Sequence, residues 1–228
     1  MSGARVAAVQ RQAIAMYLES APRKTFASAV EWPGWSRSGR DEAGALAALA
    51  AYGPRYAEAI REAGLGFRPP AGPDGLRIVG RLTGGAGTDF GVPSVYAPGD
   101  EEPVAGAELA RLAALVRACW TTFDAAAAAV SAAGLASGPR GGGRKVDKIR
   151  THVAEAEGGY LGRLGWKAPP DPEARRSVIL EAMAAVGPLG VPPPGPRGGT
   201  RWPVRYFARR LAWHTLDHAW EIRDRTLP

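Results

Sequence analysis

The chain has one cysteine, Cys119, three histidines and three methionines in 228 residues. A single cysteine excludes an intramolecular disulfide framework and fits a reducing compartment. Long apolar runs are also missing. The N-terminal "MSGARVAAVQRQAIAMYLES" has no apolar stretch long enough for a signal peptide. The most apolar run, "AAAAAVSAAGLA" (125–136), is too short and too weakly hydrophobic to span a bilayer. These absences lead us to expect a cytoplasmic protein with no membrane partner. The Gly-Lys-Ser/Thr ending of a phosphate-binding Walker loop is absent too, although "GPRGGGRK" (138–145) is rich in glycine and positive charge.

Hydrophobic residues make up 46% of the chain and charged residues 22%, which places it among globular rather than disordered proteins. Its net charge of +7 raises nucleic acid as a partner. The basic residues are mostly scattered arginines, however, and no nucleic-acid-binding motif accompanies them, so nucleic acid ranks below a small molecule. Thirty glycines and twenty prolines cluster at 64–75, 84–99, 138–143 and 187–199, where they read as connections between structured blocks.

The segment from about 13 to 100 mixes strand and helix signals. "IAMYLES" (14–20) and "KTFASAVEW" (24–32) alternate apolar and polar residues, the period of a half-buried strand, with "APR" as the turn between them. "WPGWSRSGRDE" reads as a loop. From Asp41 to about Glu62 apolar residues recur at helical spacing behind an acidic start, and Pro54 is expected to kink or split that helix. "LRIVGRLT" (76–83) predicts a third strand, and "VPSVYA" (92–97) a weaker fourth. From about 103 to 228 the pattern is helical throughout. Four helices are expected: one through "PVAGAELARLAALVRACWTTFDAAAAAVSAAG", then about 146–164, 171–186 and 203–225, a sequence of lengths that suits an antiparallel bundle.

"WHTLDHAW" (213–220) carries the sharpest functional signal. His214 and His218 stand four apart, which on a helix brings both imidazoles to one face. Three histidines placed at random would give some such pair about 3% of the time, so the pair alone is suggestive rather than specific. His152, in the second helix of this region, can supply a third ligand from a facing helix, and three protein ligands with one open position is the arrangement of catalytic metal sites. The competing reading is two satisfied core histidines. Glu221 follows His218 by three and is a partner that orients an imidazole, a proton acceptor, or simply the partner of a nearby arginine. Asp217 is placed to orient His214, and Glu155, three after His152, faces the same side. Arg140, Arg144 and Lys145 before the second helix, and Arg209 with its neighbours Arg205 and Arg210 on the fourth, are candidates for holding an anionic group of a substrate or cofactor. A flexible linker and a solvated basic face are the plain alternatives.

Two resemblances attach to these residues. "FASAVEWPGWSRSGRDEAGALAALA" resembles the HicB-like domain, which implies a small α+β module over 13–100 and no catalytic residues. Its long "GLGFRPPAGPDG" insertion departs from that family. "DKIRTHVAEAEGGYLGRLG" with "RRLAWHTLDHAWEIRDR" resembles the DinB/YfiT superfamily of metal-dependent enzymes. That resemblance implies an all-α four-helix bundle over 103–228, with His152, His214 and His218 as ligands of a divalent transition metal (Zn, Ni or Fe). It implies an enzyme acting on a small molecule, either a hydrolase or a thiol S-transferase using a mycothiol- or bacillithiol-type low-molecular-weight thiol, with Glu221 or Glu155 moving the proton. Homodimerisation is left open by the residues. The rival expectation is a non-enzymatic regulatory or nucleic-acid- or protein-binding module built on the HicB-like part.

Overall fold

A computed structural model describes residues 13–130, 134–138, 143–195 and 198–227. The chain is mixed α/β: a four-stranded sheet comes first and a mostly helical region follows. Strands β1 (Ile14–Ser20) and β2 (Thr25–Ala29) form an antiparallel pair, closed by the Ala21 N–H donating to the Lys24 carbonyl at 2.9 Å. β3 (Ser36–Gly39) adds antiparallel to β2, and β4 (Leu76–Thr83) pairs parallel with β1, giving the order β3-β2-β1-β4. A parallel neighbour requires a crossover. Helices α1 (Glu42–Ala51) and α2 (Gly53–Ala59) lie along it. The Asp41 side chain caps α1 by accepting from the Gly44 N–H at 2.7 Å, and Pro54 sits in the first turn of α2, so the expected split occurs at Tyr52.

Two local expectations are corrected. The loop expected at 32–42 contains β3. Its sequence, Ser-Arg-Ser-Gly, has no apolar alternation to reveal a strand; backbone pairing to β2 and a 2.6 Å Ser28–Ser36 hydroxyl contact hold it. The strand expected at 92–97 is instead a loop following a short helix, α3 (Ala86–Phe90). That loop is held by Glu19, a fully buried carboxylate on β1, which accepts from the backbone N–H groups of Ser94 and Val95 at 3.0 and 3.1 Å and from the Thr88 hydroxyl. A buried carboxylate surrounded by donors substitutes for a strand's ladder.

The helical region comprises α4 (Gly106–Ala128), α5 (Val146–Arg163), α6 (Pro172–Val186) and α7 (Val204–Arg225). α6 starts as its sequence predicts, with Asp171 accepting from the Ala174 N–H at 2.7 Å and Pro172 in the first turn. α7 is buried on nearly every side, because α4, α5 and the sheet all pack on it. One apolar cluster joins sheet to helices: Leu18, Trp35, Leu49 and Tyr56 meet Leu115, Leu216 and Trp220. A second, formed by residues such as Leu161, Ile179, Met183 and Phe207, fills the space among the helices. The 13–100 and 103–228 segments therefore share one of their cores. The "GLGFRPPAGPDG" insertion also contributes to packing, since the Phe67 ring lies 4.7–5.0 Å from those of Trp32, Trp35 and Tyr56. Among the described residues no helix is long and apolar enough to cross a membrane.

The sheet meets α7 most tightly at Gly34, whose φ of +94° is in the left-handed region that disfavours a side chain. A Cβ there would stand 2.9 Å from Leu216 Cδ1. Gly34→Ala is expected to lower the free energy of unfolding by about 1–3 kcal/mol, from backbone strain and overpacking together. Urea denaturation checks this; an unchanged midpoint would mean the junction has slack.

Candidate metal centre

Helical periodicity places Arg210, His214, His218, Glu221 and Arg225 along one face of α7, and α5 brings His152 against it. His214 Nε2 lies 3.2 Å from His152 Nε2 and 3.2 Å from His218 Nε2. The three rings converge edge-on, at centroid separations of 4.6–5.1 Å. Among the described residues this is the one group of three or more potential ligands whose donor atoms lie close enough to share a metal, all within 4.8 Å.

Hydrogen bonding alone does not account for this convergence. His218 Nδ1 faces the Glu221 carboxylate at 2.8 Å and so carries a proton there, which turns Nε2 toward His214. His214 Nε2 has one position, proton or lone pair, for two neighbours at equal distance. Burial, together with the charges of His218, Arg210, His152 and Arg144, pushes the His214 pKa down to about 2, so this ring is neutral. Burial likewise lowers that of His152, helped by His218 and Arg144. Three imidazoles whose Nε2 atoms converge, once unprotonated there, form a donor set for a borderline-soft divalent cation. Zn–N bonds of about 2.0–2.1 Å in a tetrahedral site would set neighbouring nitrogens about 3.3 Å apart, close to the spacing found. The residues present thus fit the metal that the histidine pattern implies.

Glu221 meets both a histidine and two arginines. Its Oε2 faces His218 and accepts from Arg144 at 3.2 Å, while Oε1 accepts from Arg225 at 2.7 Å. Burial alone would raise its pKa, but the hydrogen bond and charge of His218, the charge of Arg144 and the Arg225 hydrogen bond outweigh it and hold the carboxyl below its usual range. Arg225 also donates to the carbonyls of Ala136 and Arg144, both at 2.8 Å, which fixes the chain leading into α5 beside the site.

A cavity of about 770 Å³ opens onto the three imidazoles. α5 and α7 supply one wall, with Tyr160, Arg210 and Trp213; the sheet and α1 supply the other, with Phe26, Arg37 and Tyr52; Phe90 of α3 reaches its edge. Asp217, expected to orient His214, pairs instead with Arg37 of β3 at 3.1 Å. His214 Nδ1 finds no hydrogen-bond partner among the described residues.

The remaining expected residues divide. Arg144 lines the cavity. Lys145, directly before α5, is exposed and does not line it; Glu155 is exposed on α5 and likewise stands outside the lining. Arg140 lies outside the described residues. Arg209 does not line this cavity: it is buried on another side of α7, ion-paired with Asp100 and donating to the Val30 carbonyl at 3.3 Å. One step along a helix turns a side chain by about 100°, and that step brings Arg210, not Arg209, onto the histidine face. Arg210 stands four before His214, a signal already present in the sequence. The contributions of Phe26 and Arg37 left no local signal, because only the docking of sheet on helix brings them there.

The chain matches no protein-family model, no curated protein and no solved structure.

Proposed function

We propose that the chain is a metal-dependent enzyme of the DinB-like class, acting on a small molecule by hydrolysis or by transfer of a low-molecular-weight thiol of the mycothiol or bacillithiol type. The observation that carries this reading is the convergence of three imidazole Nε2 atoms from α5 and α7 at the floor of a 770 Å³ cavity. The placement of the ligands, one from the second long helix and two from the fourth, supports a DinB-like four-helix bundle over 103–228. The small sheet with its helical crossover supports a HicB-like module over 13–100.

His152, His214 and His218 would hold Zn, Ni or Fe, whose Lewis acidity turns water or a thiol into a nucleophile near neutral pH. The chain's own residues arrange the rest. Glu221 fixes the tautomer and ring angle of His218, and Arg225 and Arg144 fix Glu221. Phe26, Tyr160 and Trp213 present aromatic surface that excludes water from the histidine end of the cavity. Use of the sheet as a cavity wall favours the enzyme over a free-standing nucleic-acid-binding module.

The test is metal analysis of protein purified without a polyhistidine tag. Wild type is expected to hold about one equivalent of a divalent transition metal, and His214→Ala to lose most of it, since two ligands remain where a catalytic site needs three. A wild type without metal, and without uptake on titration, would overturn the reading.

A further inference from the structure

Each of the other buried arginines has a match for its charge or donors. Arg209 pairs with Asp100, Arg225 pairs with Glu221, and Arg175 donates to the carbonyls of Ala154, Pro169 and Pro170. Arg210 is different. It is 9% exposed, yet among the described residues, which include every Asp and Glu of the chain, no carboxylate side chain forms an ion pair with it, and its Nη1 has no hydrogen-bond partner. Its guanidinium lies against two aromatic rings, 5.1 Å from the Tyr160 centroid and 4.7 Å from that of Trp213, and it hydrogen-bonds the Tyr160 side chain. Such contacts recover part of the lost hydration, but they do not neutralise the charge.

This cation sits on the cavity wall one turn before His214. Four cationic side chains line the cavity, but Arg37 is matched by Asp217 and Arg144 by Glu221, which leaves the unmatched charge on Arg210 and Lys24. A buried guanidinium with an unfilled donor, held between ring faces, is preorganised for a planar anion that accepts two parallel N–H bonds. We propose that Arg210 is the receptor for a carboxylate of the substrate, and that the substrate is a small organic acid whose apolar body lies against Tyr160, Trp213 and Phe26. The proposal rests on the metal-enzyme reading only for what happens next at the imidazoles; the anion subsite itself needs no metal.

Benzoate is the probe, with benzamide as its neutral analogue and inorganic phosphate as the competing anion. Binding is followed by tryptophan fluorescence and calorimetry on chelator-treated full-length protein, so that direct coordination of the probe to a metal plays no part. Wild type is expected to bind benzoate in preference to benzamide and phosphate. Arg210→Gln should weaken benzoate at least about tenfold, the worth of a charge-assisted bidentate contact, and Arg210→Lys should fall between, keeping the charge without the fork. Metal content of both variants should equal that of wild type, which a general collapse of the site would not allow. If Arg210→Gln does not fold, Arg210→Lys carries the comparison. Benzoate binding unaffected by these substitutions, benzamide binding as tightly as benzoate, phosphate binding more tightly than either, or no benzoate binding by wild type would each overturn the proposal. A wild type without metal but with Arg210-dependent benzoate binding would sink the metal reading and leave the anion subsite standing.

Discussion

Asp100→Ala is expected to be among the most destabilising single substitutions in this chain, at about 3–5 kcal/mol. Asp100 is 1% exposed and Arg209 7% exposed, and they form an ion pair that joins the loop before α4 to the first half of α7. Asp100 also accepts from the Ala97 N–H at 2.7 Å, and Arg209 reaches the Val30 carbonyl at the end of β2. Removing the carboxylate leaves a largely buried guanidinium without its counter-charge, and the penalty is the desolvation of that charge more than the lost attraction. The double variant Asp100→Leu, Arg209→Met separates the two. With both charges gone and similar volume retained, it should recover most of the stability lost by the single change. Urea unfolding of the wild type, the single variant and the double variant decides. A single variant within about 1 kcal/mol of wild type would show that the pair is better hydrated than its burial indicates.

The same pair shows where the sequence is legible and where it is not. Arg209 and Arg210 are adjacent and chemically identical; whether one of them is a structural tie or a free cation depends on which faces of α7 meet the sheet and which meet the cavity. Phase relative to His214 is available from helical geometry, and it selects Arg210. The partner that consumes Arg209 is not available, because Asp100 lies 109 residues away in a loop. Strands β1 and β4 are visible as apolar alternation, and the helix boundaries as Asp, Pro and Gly punctuation. β3 is invisible because it contains no apolar residue, and the 92–97 segment misleads because its valines and tyrosine carry strand propensity while a buried Glu19 on β1 dictates its path. The histidine triad is legible for a simple reason: two of its members are on one helix at i and i+4, and the chain has only three histidines. Glu155 has the right spacing from His152, but spacing does not say how far a helix face is covered, and α5 leaves it exposed.

Glu221→Gln is expected to weaken metal affinity about 10- to 100-fold while leaving the three ligands in place. The carboxylate holds the Nδ1 proton of His218 and so fixes the ring with Nε2 toward the other two imidazoles. A carboxamide keeps the shape and one acceptor but loses the charge. It also has to answer Arg225 and Arg144, which will compete for its single carbonyl oxygen. The expected order of affinities from chelator-competition titration is therefore wild type above Glu221→Gln, and Glu221→Gln above His214→Ala. Arg225→Met provides the control. Arg225 touches no imidazole and ties down Ala136 and the backbone of Arg144, so its loss should reduce stability with a smaller effect on affinity than Glu221→Gln. If Glu221→Gln and Arg225→Met lowered affinity equally and in proportion to stability, Glu221 would be a scaffold residue and His218 would need no partner. If affinity fell much further for Glu221→Gln than stability did, the carboxylate acts through the imidazole, and this acidic residue behind the histidine face belongs to the metal centre itself.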